Sequence, residues 1–154
     1  MLATVVAVLG TLLGAIVAGI FQQKNANRAA GAITAEQLRR ERLAAVTELA
    51  AAGSDHRRAM RMRGEAKLSG SVDRFEELRA ASHATRSAIT RPLVAVQVLI
   101  PDAAVRSAAQ TMVTTTYRMR DADTSAEALA AAQTEARAAH DRFVDAAAAY
   151  LTAA

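Results

Sequence analysis

Residues 34–67 read TAEQLRRERLAAVTELAAAGSDHRRAMRMRGEAK, and their spacing decides the fold class. Thr34 is a good helix N-cap, and Gln37 completes a capping box with it. Ile33 and Leu38 are placed to close a hydrophobic staple around this start. Beyond it Leu43, Val46, Leu49 or Ala50, Gly53 and Met60 recur at the interval of one helical face. Ala51, Ala52, Gly53 and Ser54 weaken this helix without ending it. The spacing predicts a helix over about 35–67.

Working outward, Ser69-Gly70-Ser71 is a turn. Val72, Phe75, Leu78, Ser82, Ile89, Leu93, Val96 and Ile100 then keep helical spacing, predicting a helix over about 72–99. Pro92 lies inside it and is expected to kink it or split it near Thr90. The apolar stretch LVAVQVLI (93–100) has strand-like composition, but no partner strand exists elsewhere, so it reads as buried helix. Pro101 and Asp102 suit the first turn of a third helix, about 101–120. Its apolar side is Val105, Ala109, Met112, Thr116 and Met119, while Val113 to Thr116 are poor helix formers. Thr124 with Glu127 makes another capping box, opening a helix over about 125–152. Its stripe runs Leu129, Ala132, Ala136, Ala139, Phe143, Ala147, Tyr150, close to a coiled-coil heptad seam. Amphipathic helices with short connections pack most simply as an antiparallel four-helix bundle over 34–154.

The N-terminal end reads differently. Residues 1–21, MLATVVAVLGTLLGAIVAGIF, carry no charge, and their only polar side chains are Thr4 and Thr11. A helix of that length spans ~30 Å, the thickness of a bilayer core. The run lacks the basic n-region of a cleaved signal, which favours a retained transmembrane helix. Residues 22–33 follow as a juxtamembrane joint. The basic residues behind the run place the bundle in the cytoplasm and the N-terminus outside the cell membrane, with an extracellular bundle as the alternative. Ala3, Ala7, Gly10, Gly14 and Ala18 share one helix face and form a candidate self-association surface, with Gly10 and Gly14 as a GxxxG pair. All-α, then: a single transmembrane helix followed by a bundle.

Composition narrows the chemistry. The chain has no cysteine and no tryptophan, only three phenylalanines and two tyrosines, and a formal charge of +4. That excludes disulfides, thiolate zinc sites and a cysteine nucleophile. Alanine dominates, favouring helix and thin cores. Ten basic residues against five acidic ones fall within 22–67, and the rest is nearly balanced. Lys24 and Arg28 are candidates for contact with anionic lipid headgroups.

His56, His83 and His140 fall on three predicted helices, without the Glu-x-x-His spacing of a di-iron bundle. No serine sits in a Gly-x-Ser-x-Gly turn, and the soluble-region glycines are isolated, so no phosphate loop is present. No metal, cofactor or enzyme activity is expected. The best functional candidate is the basic cluster Arg57, Arg58 and Arg61, with Arg63 and Lys67 beyond it. Such a stripe suits phosphate groups of lipid or nucleic acid, or contact with a partner, or is simply a solvated face paired with Asp55, Glu65 or acids of the neighbouring helix such as Asp73, Glu76 and Glu77. No aromatic residues interleave with the arginines, which argues against nucleic acid.

The layout LRRERLAAVTELAAA, HRRAMRMR, LVAVQVLIPDAAVRSAA and EARAAHDRFVDAAAAYL resembles a loose group of small actinobacterial membrane-anchored helical proteins without established activity. The resemblance implies a tethered helical bundle and carries over no site residues. The expected role is a membrane-anchored interaction or scaffold protein. Its partners would be membrane lipid, a second copy of the chain or another protein. An exported filament or surface subunit, and a ligand- or lipid-sensing bundle, are the alternatives.

Overall fold

A computed structural model describes the backbone of residues 2–153 and the side chains of residues 34–153. The helices are α1 (Leu2–Leu68), α2 (Val72–Leu99), α3 (Ala103–Arg118) and α4 (Ala126–Ala153), with a short 3-10 helix (Met119–Ala122) after α3. The chain divides into two compact units, 1–39 and 40–154. In the first, the backbone belongs to α1 from Leu2 onward. The second holds the four-helix bundle.

The expected N-terminal span is corrected. Among the described residues no helix is long and apolar enough to cross a membrane. Along the described part of α1, charged residues interrupt every turn or two, and no apolar window of bilayer length forms. The single-pass placement at the cell membrane, with a cytoplasmic or an extracellular bundle, rested on that span and goes with it. The joint at 22–33, the self-association face Ala3, Ala7, Gly10, Gly14 and Ala18, and the lipid contacts Lys24 and Arg28 lie outside the described side chains. Thr34 stands within α1, which passes it without a break.

Contacts within the second unit define an up-and-down order. Arg42 Nε donates to the Leu99 carbonyl at 2.9 Å, joining the early part of this unit's α1 to the end of α2. Later on α1, the Arg63 guanidinium lies 5.3 Å from the Phe75 ring near the start of α2. α4 is likewise antiparallel to α1: Ser54 meets His140, and Gly64 faces Leu129.

The core is built from Leu49, Ile89, Val96, Ile100, Val105, Met112 and Phe143, each no more than 2% exposed, with alanines between them. A smaller cluster joins Met60, Met119 and Ala136. Thin packing at the seams depends on absent side chains. A Cβ on Gly53 would stand 3.1 Å from Met112 Cε, and one on Gly64 would stand 2.9 Å from both δ carbons of Leu129.

The turn at Gly70 follows from backbone bonding. Gly70 has φ 72°. Ser71 N–H donates to the Ala66 carbonyl and Gly70 N–H to the Lys67 carbonyl, both at 3.1 Å. This is the Schellman ending, which needs a left-handed residue where it reverses.

Pro92 is buried and lies inside α2, which stays one helix rather than splitting near Thr90. Proline cannot return a hydrogen bond to the Ala88 carbonyl, yet burial of Ile89, Pro92 and Val96 holds the segment. α3 also runs through Val113 to Thr116. The hydroxyls of Thr115 and Thr116 donate back to the carbonyls of Thr111 and Met112, at 2.9 and 2.7 Å. That satisfies two polar groups in a segment whose side chains are buried.

Candidate functional site

The arginine stripe of α1 divides between two faces. Arg63 turns towards α2, where its guanidinium covers Phe75. Its Nε is buried without a hydrogen-bond partner among the described residues. Lys67 pairs with Asp123 at 2.7 Å, tying the end of α1 to the loop before α4. Arg57, Arg58 and Arg61, the three predicted contact residues, are brought together on the other side with Ser54. Opposite them α4 contributes Gln133, Arg137, His140 and Asp141. Between the two rows lies an open cleft of about 410 Å³.

Helical spacing makes this cleft. Ser54, Arg57 or Arg58, and Arg61 advance one turn at a time along α1, and Gln133, Arg137 and His140 or Asp141 do so along α4. Antiparallel packing sets one row against the other. The α4 row was not among the expected contact residues. Its sequence signal was the recurrence of Gln, Arg and His at one-turn intervals beside the apolar Ala132–Ala136–Ala139 seam.

The polar contacts are ordered across the cleft. Ser54 Oγ lies 3.2 Å from His140 Nε2, and His140 Nδ1 lies 3.3 Å from Asp141 Oδ1. Arg57 Nη2 donates to Ser54 Oγ at 3.5 Å. A neutral imidazole bearing its proton on Nδ1 satisfies all of this, because Ser54 then donates to Nε2 while accepting from Arg57. The connectivity is that of a serine hydrolase relay, with hydroxyl at Nε2 and carboxylate at Nδ1. Its surroundings differ. Ser54 is in the middle of α1, so the nearby backbone N–H groups are committed to the helix, and guanidinium groups face the cleft in place of an amide oxyanion hole.

The arginines have few anionic partners. Arg61 pairs with Glu65 at 3.5 Å, both about half exposed. Glu76 and Glu77 are bound by Arg79 and Arg74 on their own helix, at 3.3 and 2.6 Å. For Arg57, Arg58 and Arg137 no carboxylate lies within ion-pair distance among the described residues. Four guanidinium groups therefore line the cleft with one carboxylate, Asp141, already engaged by His140.

The three histidines have three environments. His83 is exposed and His140 half-buried in the cleft. His56 is 3% exposed. Its Nδ1 lies 2.8 Å from Thr85 Oγ1, and the ring meets Tyr117 edge-on at 5.4 Å. Burial, then the charges of Arg86 and Arg63, lower its pKa to about 4. Arg86 itself stacks over Tyr117 at 4.5 Å. Among the described residues no group of three or more His, Asp or Glu side chains could hold a metal ion.

Comparison with known proteins places this bundle. A family profile described as "KilB plasmid transfer protein" matches residues 43–151. Protein KilB of Streptomyces lividans is 47% identical over 103 residues, which are 66% of this chain and 67% of that protein. No solved structure matches the chain. The resemblance to small actinobacterial helical proteins stands in this coarser form, without its membrane anchor. The profile spans nearly the whole second unit, from early in its α1 segment to the end of α4, and the chain belongs to the KilB plasmid transfer protein family.

Proposed function

We propose that the chain is a non-catalytic helical interaction protein of plasmid transfer, whose bundle docks a protein partner or a second copy of itself. The observation that carries this reading is the coincidence of the family match at 43–151 with the compact unit 40–154. What the family supplies is therefore a packed helical surface. Support also comes from α2, where Val94 and Val98 are 56% and 75% exposed, one turn apart. Side chains of this kind on one helix face add contact area without chemistry.

The test is genetic and biochemical together. Deleting the gene from a plasmid-bearing donor is expected to lower transfer frequency, and full-length wild type is expected to restore it. Val94→Asp with Val98→Asp is expected to fold normally by circular dichroism and fail to restore transfer. Unchanged transfer on deletion would overturn the reading. So would purified chain that hydrolyses an ester or a phosphodiester and loses that turnover on Ser54→Ala.

A further inference from the structure

The cleft between α1 and α4 gathers like charges. Its guanidinium groups share one open concavity, where like charges held close together repel. Among the described residues Arg57, Arg58 and Arg137 draw no compensation from carboxylates, as is also true of exposed arginines such as Arg91, Arg118 and Arg142; what sets the cleft apart is that its guanidinium groups converge. A solvated face would spread such charges outward. Here two antiparallel helices aim them at the same space of about 410 Å³. Concave sites of this size hold small ligands.

The chemistry of the lining selects among such ligands. Guanidinium groups are planar forks that match phosphate oxygens two at a time. Gln133 adds a neutral amide donor to the lining of the same space. The lining has no Phe, Tyr or Trp, and its one imidazole, His140, is engaged by Ser54 and Asp141, so recognition falls on charge and hydrogen bonds. A row of nucleic-acid phosphates needs a long continuous basic track. This basic surface is confined to one open cleft between two helices.

We propose that this cleft is a binding site for a compact polyphosphate group, that of pyrophosphate or of a nucleoside polyphosphate, clasped by Arg57, Arg58 and Arg61 from α1 and Arg137 from α4. Ser54 is held by His140, which Asp141 orients, and its oxygen in turn accepts from Arg57, which fixes that guanidinium at the cleft. The site is independent of the α2 surface assigned to partner docking.

Calorimetric titration of the full-length protein with inorganic pyrophosphate, with ATP and with a duplex DNA oligomer tests this. Pyrophosphate is expected to bind with one-to-one stoichiometry and to weaken as salt is raised. Arg58→Gln with Arg137→Gln is expected to weaken it by about tenfold or more, since each charged hydrogen bond removed is worth at least that. Arg58→Lys with Arg137→Lys keeps the charge, loses the fork, and is expected to fall between. Arg74→Gln, outside the cleft, is expected to bind as wild type. Circular dichroism of every variant separates loss of binding from loss of fold. Equal affinity for ATP and pyrophosphate identifies the free polyphosphate group as the determinant, and tighter ATP binding identifies a nucleotide; both support the site. No pyrophosphate binding at millimolar concentration overturns it. So does pyrophosphate binding that the Gln pair leaves unchanged, or DNA binding that pyrophosphate cannot displace.

Discussion

Burial of His56 where α1, α2 and α3 meet leaves an imidazole that must stay neutral while the protein is folded. Thr85 donates its own hydroxyl hydrogen to the Ser82 carbonyl, so its oxygen accepts from His56 Nδ1–H. In the unfolded chain His56 takes up a proton below its ordinary value of 6.5, but in the folded chain only below about 4. Acidification through that window therefore favours unfolding, and the contribution is constant above it. Between those limits the loss amounts to roughly 3 kcal/mol. Urea unfolding above pH 6.5 and near pH 4 measures it, and His56→Gln is expected to remove most of the difference. An unchanged slope in the variant would place the acid sensitivity elsewhere. Gly64 gives a second prediction at this scale. Any side chain there meets Leu129 within 3 Å, so Gly64→Val is expected to cost about 2 kcal/mol through overpacking. Gly64→Ala would lose less, because alanine returns ~1 kcal/mol of helix propensity. Denaturant titration of both variants checks the order.

The ends of the elements decide where each helix stops. Asp102 Oδ1 accepts from Val105 N–H at 2.9 Å and caps α3. Pro101 thus lies one residue before the cap rather than in the first helical turn. At α4 the cap is Ser125, whose Oγ accepts from Ala128 N–H at 3.1 Å, one residue later than the Thr124 box implied. Glu127 is drawn to its own backbone N–H and to Ser125, which hold its carboxyl below the usual carboxylate range. A glutamate in a first helical turn also faces the positive end of the dipole. Asp102→Ala and Ser125→Ala are each expected to cost about 1 kcal/mol. Gly70→Ala is expected to cost a similar ~1 kcal/mol, since alanine must enter the left-handed region. Thermal unfolding distinguishes them from Ser71→Ala, where no side-chain cap bond exists to lose. Capping signals were legible in the sequence to within a residue. Thr34 and Gln37 show why they are not sufficient: an internal helical segment can carry the same letters when the chain before it is already helical.

At the scale of the whole molecule, one cleft gathers four guanidinium groups, those of Arg57, Arg58, Arg61 and Arg137. In the absence of a polyanion, Arg58→Gln with Arg137→Gln is expected to leave stability unchanged or raise it by up to ~0.5 kcal/mol, because solvated charges contribute little and like charges repel. Melting curves at low salt measure this. A loss beyond about 1 kcal/mol would mean that the arginines hold the helices together instead. Periodicity alone determined the helical class, the bundle and most of its core. Burying an apolar stripe needs only the right residue every third or fourth position, and Leu49, Val96, Val105 and Phe143 supply it. Periodicity also placed Arg57, Arg58 and Arg61 on one side of α1. What they face was decided by the packing. Pairing Ser54 with His140, and the arginines of α1 with Arg137, requires two helices in a particular antiparallel register, and a local pattern carries no register. The same holds for Arg42, whose partner is a carbonyl far along the chain at Leu99. Local spacing specifies a face; only the tertiary structure specifies what stands opposite it.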